Sequence, residues 1–188
     1  MNKKVEIEVS ARHVHLAKDD FELLFGKDAK FEQVHELNQS GEFSTDKKVT
    51  IIGPDGSLEA RFLSPFRKRT QVELSLTDCH TIGINSPYEI NVFDGAASVI
   101  IRGPLGEIER KSAIVAKRHL HLNPNEAREL NIKDGQEITA IVQTDRGRII
   151  FDNITSKIAA NFNLRVHLDT DEGNAAGIKG KANGEIIL

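Results

Sequence analysis

The sequence has few cysteine and aromatic residues. Its 188 residues include one Cys, no Trp and one Tyr. A single cysteine excludes an internal disulfide and a cysteine-rich zinc site, and it suits a reducing compartment. The scarcity of Trp and Tyr argues against an aromatic surface on which nucleic-acid bases could stack.

Long apolar runs and an excess of positive charge are also missing. No apolar run approaches the roughly 18 residues that a membrane-spanning helix needs, and no apolar signal core follows the start of the chain. The 25 Lys and Arg residues against 28 Asp and Glu residues give a net charge of −3, so no surplus of cations exists for a phosphate backbone. We therefore expect a cytoplasmic protein without a membrane or nucleic-acid partner.

Short runs of alternating apolar and polar residues dominate the sequence, and turn residues separate them. Two short helices interrupt this pattern: one over Lys18–Phe25, and one that begins after the N-cap Asn123 and ends near Leu130. Many short strands predict a mainly β protein built as barrels or a sandwich. The predicted strands are Val5–Val9, Lys48–Ile52, Thr70–Leu76, Glu137–Gln143, Arg148–Phe151 and Leu164–Leu168.

The motif Arg-His-x-His-Leu occurs twice, at residues 12–16 and 118–122, each time before a predicted helix. Residues i and i+2 of a strand face the same way, so the two imidazoles of each copy can converge on one metal ion. A structural role for a single His pair stays open, but the repeat favours two related halves that each bind a metal. The candidate ligands are His13, His15, His119 and His121.

Glu73 and His167 are candidates for a third ligand at each site. Each lies on the opposite face of its predicted strand from the apolar residues, where it is either a ligand or a solvent-exposed side chain. Three protein ligands with one open position are typical of catalytic zinc, although the spacing also allows Fe, Co or Ni. We interpret the two remaining histidines, His35 and His80, and the single cysteine, Cys79, as surface or packing residues.

A run of three cations, Arg67, Lys68 and Arg69, precedes the strand that contains Glu73. Arg67 shares strand parity with Gln71 and Glu73 if that strand extends back far enough. A guanidinium in this place could hold a phosphate through two parallel hydrogen bonds. The alternative is an ordinary solvated turn.

Several segments together resemble the PduL-type phosphate acyltransferases, in the same order and over nearly the whole chain. The resemblance implies a mainly β fold of two β-barrels with short capping α-helices, in which the N-terminal strand joins the C-terminal barrel. Residues 1–11 and 117–188 would form one barrel, and residues 12–116 the other, with a short lid-like insertion near 27–45. The matching segments are residues 10–16, 70–73, 77–78, 118–121, 167–172 and 174–176.

The resemblance also implies a two-zinc site between the barrels and a reversible reaction of a short-chain acyl-CoA, propionyl or acetyl, with phosphate to give acyl phosphate and CoA. Direct attack of phosphate on the thioester fits the lack of a convincing protein nucleophile. Arg67 would hold the phosphate, and Lys68, Arg69, Lys117 and Arg118 are candidates for the CoA phosphates. One zinc would be held by His13, His15 and Glu73, and the other by His119, His121 and His167.

The sequence departs from this family in two places. The segment with Glu89, Asn91 and Val92 lacks an Arg and a Ser-Gly pair that members often carry. No amphipathic extension precedes the first strand, so we expect a free cytoplasmic enzyme rather than one packaged in a microcompartment. The alternatives are a cupin-like mononuclear metalloenzyme, whose Glu would follow the His pair closely, and a non-catalytic metal-binding module. The oligomeric state, a homodimer included, stays open.

Overall fold

The computed structural model describes residues 2–37, 39, 41–89 and 95–187. In this part of the chain, short helices are inserted between strands. The helices are α1 Lys18–Phe25, α2 Leu76–Ile82, α3 Pro124–Leu130 and α4 Thr170–Ala176. The strands are β1 Asn2–Ser10, β2 His13–His15, β3 Gln33–Glu36, β4 Phe43–Ile52, β5 Ser57–Ser64, β6 Gln71–Leu74, β7 Tyr88–Glu89, β8 Ala97–Arg102, β9 Glu107–Ala116, β10 His119–Leu122, β11 Glu137–Thr144, β12 Gly147–Ile158, β13 Arg165–Asp169 and β14 Lys181–Ile187.

The chain forms two compact units, Met1–Ala11 with Lys117–Leu188, and Arg12–Ala116. The first unit is a closed barrel with the strand order β1-β13-β10-β12-β11-β14. The N-terminal strand β1 lies parallel to β13 and antiparallel to β14. The prediction that the N-terminal strand joins the C-terminal barrel is therefore confirmed.

The second unit is also a closed ring of six strands. Its order is β4-β5-β2-β6-β9-β8, and the ring closes because β8 pairs with both β9 and β4. Strands β3 and β7 add to β4 and β9 outside this ring. The expected mainly β fold with two barrels is thus confirmed, and the 27–45 segment contributes β3 to the edge of this sheet.

The apolar residue between the two histidines of each repeat lies in a barrel core. Val14 and Leu120 are both fully buried, each within the core cluster of its own unit. In the second unit, the core also contains Phe21 and Phe62, whose ring centroids lie 5.5 Å apart. Because side chains alternate along a strand, this packing turns the flanking imidazoles away from the core.

The two predicted helices are confirmed as α1 and α3. Helix α3 begins after the predicted N-cap Asn123, whose side chain accepts a hydrogen bond from the backbone N–H of Glu126 while the Glu126 carboxylate accepts one from the backbone N–H of Asn123. These reciprocal bonds satisfy N–H groups that the first turn of a helix leaves without partners.

Helices α2 and α4 were not predicted. The predicted strand over residues 70–76 is wrong at its C-terminal end, because β6 ends at Leu74 and Ser75 caps α2 together with Asp78. Asp169 and Glu172 form the same reciprocal cap at the start of α4. The apolar alternation continues through Leu76 and concealed the Ser-x-x-Asp signal of a helix start.

The structure also bears on membrane spans and on the segment around Glu89. No helix in the described part of the chain is long and apolar enough to cross a membrane. In the segment that departs from the family pattern, Glu89 lies in β7, whereas Asn91 and Val92 lie outside the described residues.

Candidate active site

Strands β2 and β6 bring His13, His15 and Glu73 together. The strands are antiparallel, with His13 opposite Glu73 and His15 opposite Gln71. The Nε2 atom of His13 lies 3.4 Å from Glu73 Oε2, and the Nε2 atom of His15 lies 3.9 Å from Glu73 Oε1. Among the described residues, only this group of His, Cys, Asp or Glu side chains has ligand atoms that all lie within 4.8 Å of one another.

These three side chains are largely shielded from solvent. The exposed fractions of the side chains are 12% for His13, 3% for His15 and 15% for Glu73. Glu73 therefore does not lie on a solvated strand face, which was the alternative interpretation of its position. A carboxylate and two imidazoles that lie close together on two adjacent barrel strands form a donor set suited to a metal ion.

The electrostatic surroundings favour the protonation states that bind metal. Burial, together with the positive charges of His13 and Arg67, holds the pKa of His15 well below its ordinary value. Burial alone would raise the pKa of Glu73, but the charge and hydrogen bond of His13 and the charges of His15 and Arg67 outweigh it and hold this pKa well below its ordinary value. A neutral imidazole and an ionised carboxylate are the forms that ligate metals.

Arg67 reaches this cluster from the loop before β6. Strand β6 begins at Gln71, so strand parity does not place Arg67. Instead, its backbone N–H donates to the Leu16 carbonyl over 3.0 Å, and its Nη1 atom lies 3.4 Å from Gln71 Oε1. Its Nη2 atom lies 4.0 Å from Glu42 Oε1, and 36% of the side chain stays exposed. Arg67 thus lies beside the cluster with a partly exposed side chain.

The first unit gathers its own three histidines. Strands β10 and β13 are antiparallel, with His119 opposite His167 and His121 opposite Arg165. The ring centroids lie 4.5 Å apart for His119 and His121, 4.5 Å for His121 and His167, and 5.1 Å for His119 and His167. His167 is buried, so it is not the exposed strand histidine that the sequence left open.

Two neighbours orient these imidazoles. The Nδ1 atom of His119 lies 2.9 Å from the Lys117 carbonyl oxygen, a contact of the kind that orients metal-ligating imidazoles. Phe162 stacks on His121 with the centroids 3.8 Å apart. No sequence pattern points to Phe162, which lies in the connection between β12 and β13.

The two clusters occupy equivalent places in two equivalent ladders. Strand β2 is antiparallel to β6 and parallel to β5, and β10 is antiparallel to β13 and parallel to β12. The clusters therefore differ mainly in the third ligand. The equivalent pairs are His13 and His119, His15 and His121, Glu73 and His167, and Gln71 and Arg165.

The arginine of each repeat forms an ion pair with the acid of a helix cap, in α2 for Arg12 and in α4 for Arg118. Arg12 Nη1 lies 2.8 Å from Asp78 Oδ1, and Arg118 Nε lies 2.7 Å from Glu172 Oε1. Each ion pair links the start of a strand that carries a histidine pair, β2 or β10, to a more distant helix. That helix follows the strand of the third candidate ligand: α2 follows β6, and α4 follows β13. Arg118, a candidate for CoA, also donates to the Asp152 carbonyl oxygen over 3.1 Å.

The other candidate residues lie in different surroundings. Lys68 and Arg69 are exposed beside Arg67, and Lys117 is half-buried with its Nζ atom 3.6 Å from Glu137 Oε1. Cys79 lies fully buried in the core of the second unit, as predicted. The two histidines outside the motifs, His35 and His80, are both exposed, as predicted.

Comparisons with known proteins identify the family. The sequence model of the phosphate propanoyltransferases matches residues 6–179. The chain is 40% identical over 173 residues to the phosphate propanoyltransferase of Thermotoga maritima, an alignment that covers 90% of this chain and 82% of the relative. It is 38% identical over 189 residues to that of Limosilactobacillus reuteri, covering 98% of this chain and 88% of the relative. The chain therefore belongs to the phosphate propanoyltransferase family and is an acyltransferase.

Proposed function

We propose that this acyltransferase moves a short acyl group, propionyl or acetyl, reversibly between coenzyme A and inorganic phosphate, and that the reaction depends on bound metal. The observation that carries this proposal is the cluster of His13, His15 and Glu73 with the guanidinium of Arg67 beside it. The relatives' name, phosphate propanoyltransferase, supports phosphate as the acceptor and propanoyl as an acyl group.

The donor sets fit zinc. His13, His15 and Glu73 would hold one ion in the second unit, with the short separations between their ligand atoms as support. His119, His121 and His167 would hold another in the first unit, supported by their clustered rings and by their equivalent ladder positions. Zinc bound there would supply a Lewis acid for the thioester carbonyl and a good partner for thiolate.

Arg67 would bind and orient the phosphate. Its planar guanidinium offers two parallel N–H donors to two phosphate oxygens, and holding the phosphate in place removes much of the entropic barrier to attack. A phosphate oxygen then bonds to the carbonyl carbon of the thioester and the carbon–sulfur bond breaks. The CoA sulfur leaves with the electron pair and takes up a proton in solution.

No residue of the described chain is proposed as a covalent nucleophile. Cys79 is the single cysteine, and its side chain lies in the core of the second unit. A thiol that is fully buried in a core is inaccessible to an acyl-CoA. This supports direct transfer from CoA to phosphate without an acyl-enzyme.

Exposed cations beside Arg67 would bind the phosphates of CoA. Lys68 and Arg69 are both exposed next to the proposed phosphate arginine, and Lys117 is a third candidate. Arg118 has weaker support, because its guanidinium already contacts Glu172 and the Asp152 carbonyl.

We also propose a cytoplasmic location for the protein, which fits a substrate that carries a reduced thiol.

A metal-removal experiment tests this function. CoA release from acetyl-, propionyl- and butyryl-CoA is measured with and without phosphate, before and after chelation and after zinc is added back. We expect phosphate-dependent turnover that chelation abolishes and zinc restores, and close to two metal ions per chain by elemental analysis. Full activity in a metal-free preparation would contradict metal dependence, and metal binding without turnover would contradict acyl transfer.

A matched pair of histidine variants locates the metal. His13→Ala removes a proposed ligand, whereas His35→Ala changes an exposed residue of β3. We expect the first variant to lose about one metal ion per chain together with most of the activity, and the second to keep both.

A further inference from the structure

Gln71 lies between Glu73 of the candidate metal cluster and Arg67, the proposed phosphate ligand, in the second unit. It is the first residue of β6, it is only 2% exposed, and it pairs with His15 across the ladder. Its Nε2 atom donates to Glu73 Oε1 over 2.9 Å, and its Oε1 atom accepts from Arg67 Nη1 over 3.4 Å. One buried amide therefore contacts both the proposed metal carboxylate and the proposed phosphate arginine.

The chemistry of the two neighbours fixes the orientation of this amide. Glu73 carries only acceptor oxygens when it is ionised, and Arg67 carries only donors. A flipped amide would point its oxygen at the carboxylate and its NH₂ at the guanidinium, so both contacts would become repulsive. Gln71 has a single orientation that suits both partners, and it is long enough to reach both.

The two carboxylate oxygens of Glu73 have different neighbours. Oε1 accepts from Gln71 and lies 3.9 Å from His15 Nε2, whereas Oε2 faces His13 Nε2 at 3.4 Å. Partners that hold a ligating side chain in this way restrict its rotation and tune its basicity. Here the same amide also restricts the guanidinium that would hold the phosphate.

We propose that Gln71 is a positioning residue that couples the metal-binding carboxylate of Glu73 to the phosphate-binding guanidinium of Arg67. This inference rests on the proposed function. Gln71 itself touches neither reacting atom. It holds one Glu73 oxygen and one Arg67 nitrogen, so that the metal ligand and the anion donor keep a fixed separation during turnover.

Gln71→Met tests the coupling, because methionine keeps the unbranched shape and removes both hydrogen bonds. Zinc affinity is measured by competition with a chromogenic chelator, which resolves successive binding steps. We expect one step to weaken about tenfold, as for other partners of metal ligands, and the other step to stay unchanged. We also expect the KM for phosphate to rise about tenfold, and the KM for acyl-CoA to stay unchanged.

Two further variants separate positioning from a general loss of structure. Gln143→Met is the control, because Gln143 is exposed on β11 in the first unit and its amide donates to the Thr144 carbonyl oxygen; it should leave both readouts unchanged. Gln71→Asn keeps an amide that is too short to bridge both partners, so it should shift both readouts if Gln71→Met does not fold. Adding Gln71→Met to Arg67→Ala should raise the KM for phosphate no further, since Gln71 acts on phosphate through Arg67.

The outcomes distinguish this inference from the function on which it rests. A folded Gln71→Met protein with unchanged zinc affinity and unchanged KM for phosphate would overturn the inference alone. A change in only one of the two readouts would overturn the coupling. A wild-type protein that binds no zinc or forms no acyl phosphate would overturn the proposed function and this inference together.

Discussion

Single apolar residues orient pairs of candidate metal ligands in both barrels. Val14 lies between His13 and His15, and Leu120 lies between His119 and His121, and both apolar side chains are fully buried. The two imidazoles of each pair must therefore share the opposite face of their strand. Removing either apolar side chain would disturb the ligand pair and the core at once.

The low pKa of His15 makes the stability of the metal-free protein depend on pH. Burial is the main cause of the lowered pKa, so the unfolded chain binds a proton here more readily than the folded chain does. The free energy of unfolding should fall as the pH drops through the ordinary histidine range near about 6.5. The lowered pKa of Glu73 acts in the same direction at more acidic pH, where the unfolded carboxyl is protonated first.

Urea unfolding of the metal-free protein at pH 7.5 and pH 5.5 would measure this effect. His15→Gln removes the proton-binding group, so the difference in unfolding free energy between the two pH values should be smaller than in the wild type. An equal difference in both proteins would show that His15 is not responsible.

Arg67 should matter for phosphate more than its exposed neighbour Arg69 does. One hydrogen bond to a charged group contributes about 1.5–3 kcal/mol, so Arg67→Ala should lower kcat/KM for phosphate at least about 10- to 100-fold. Arg67→Lys should recover little of this, because an ammonium lacks the planar pair of donors. Steady-state kinetics at varied phosphate test both variants, and a larger effect of Arg69→Ala would assign the phosphate to Arg69 instead.

At the scale of the elements, the strands that carry Glu73 and His167 are each followed by a helix with the same kind of cap. A short helix begins immediately after β6 and after β13, each with a reciprocal cap, and the acid of each cap forms an ion pair with the arginine of the histidine motif. The cap therefore links two strands that carry candidate ligands, in addition to satisfying the first turn of the helix.

Asp78→Ala should destabilise the protein by about 1–2 kcal/mol. The variant loses the cap bond to the Ser75 N–H, which typically contributes about 1 kcal/mol, and the ion pair with Arg12, which contributes up to about 1 kcal/mol. Urea unfolding measures the change. Asp19→Ala is the control, because Asp19 is exposed at the start of α1, where Ala17 provides no side-chain cap; its cost should stay below about 0.5 kcal/mol. Equal costs would contradict the role of the cap.

The elements that could be predicted from the sequence are those with unambiguous local signals. Asn123-Pro124 and Glu126 predicted α3 correctly because a cap, an N1 proline and the capping acid all coincide. Helix α2 was missed because apolar alternation masks its cap at Ser75. The position of Arg67 depends on a hydrogen bond between its backbone and Leu16, a tertiary contact that no local pattern encodes.

At the scale of the whole molecule, one ladder pattern is built twice from one repeated motif. The pairing of the strands is the same in both units, yet the third candidate ligand is Glu73 in one and His167 in the other. The strand pairing thus sets where the candidate ligands lie, and the residue at the third position sets the charge of each cluster. The carboxylate lies in the unit that also contains Arg67, so the anionic candidate ligand and the proposed phosphate-binding cation occur together.

The proposed direct transfer predicts that no covalent intermediate forms on the protein. The single thiol, Cys79, is buried in a core, and no serine lies in a Gly-x-Ser-x-Gly elbow. We expect the intact mass of the protein to stay unchanged after mixing with acyl-CoA alone, and Cys79→Ser to keep its activity. A covalent route would instead show ping-pong kinetics. A mass increase of one acyl group that phosphate removes at the turnover rate would refute direct transfer, even with both metal sites in place.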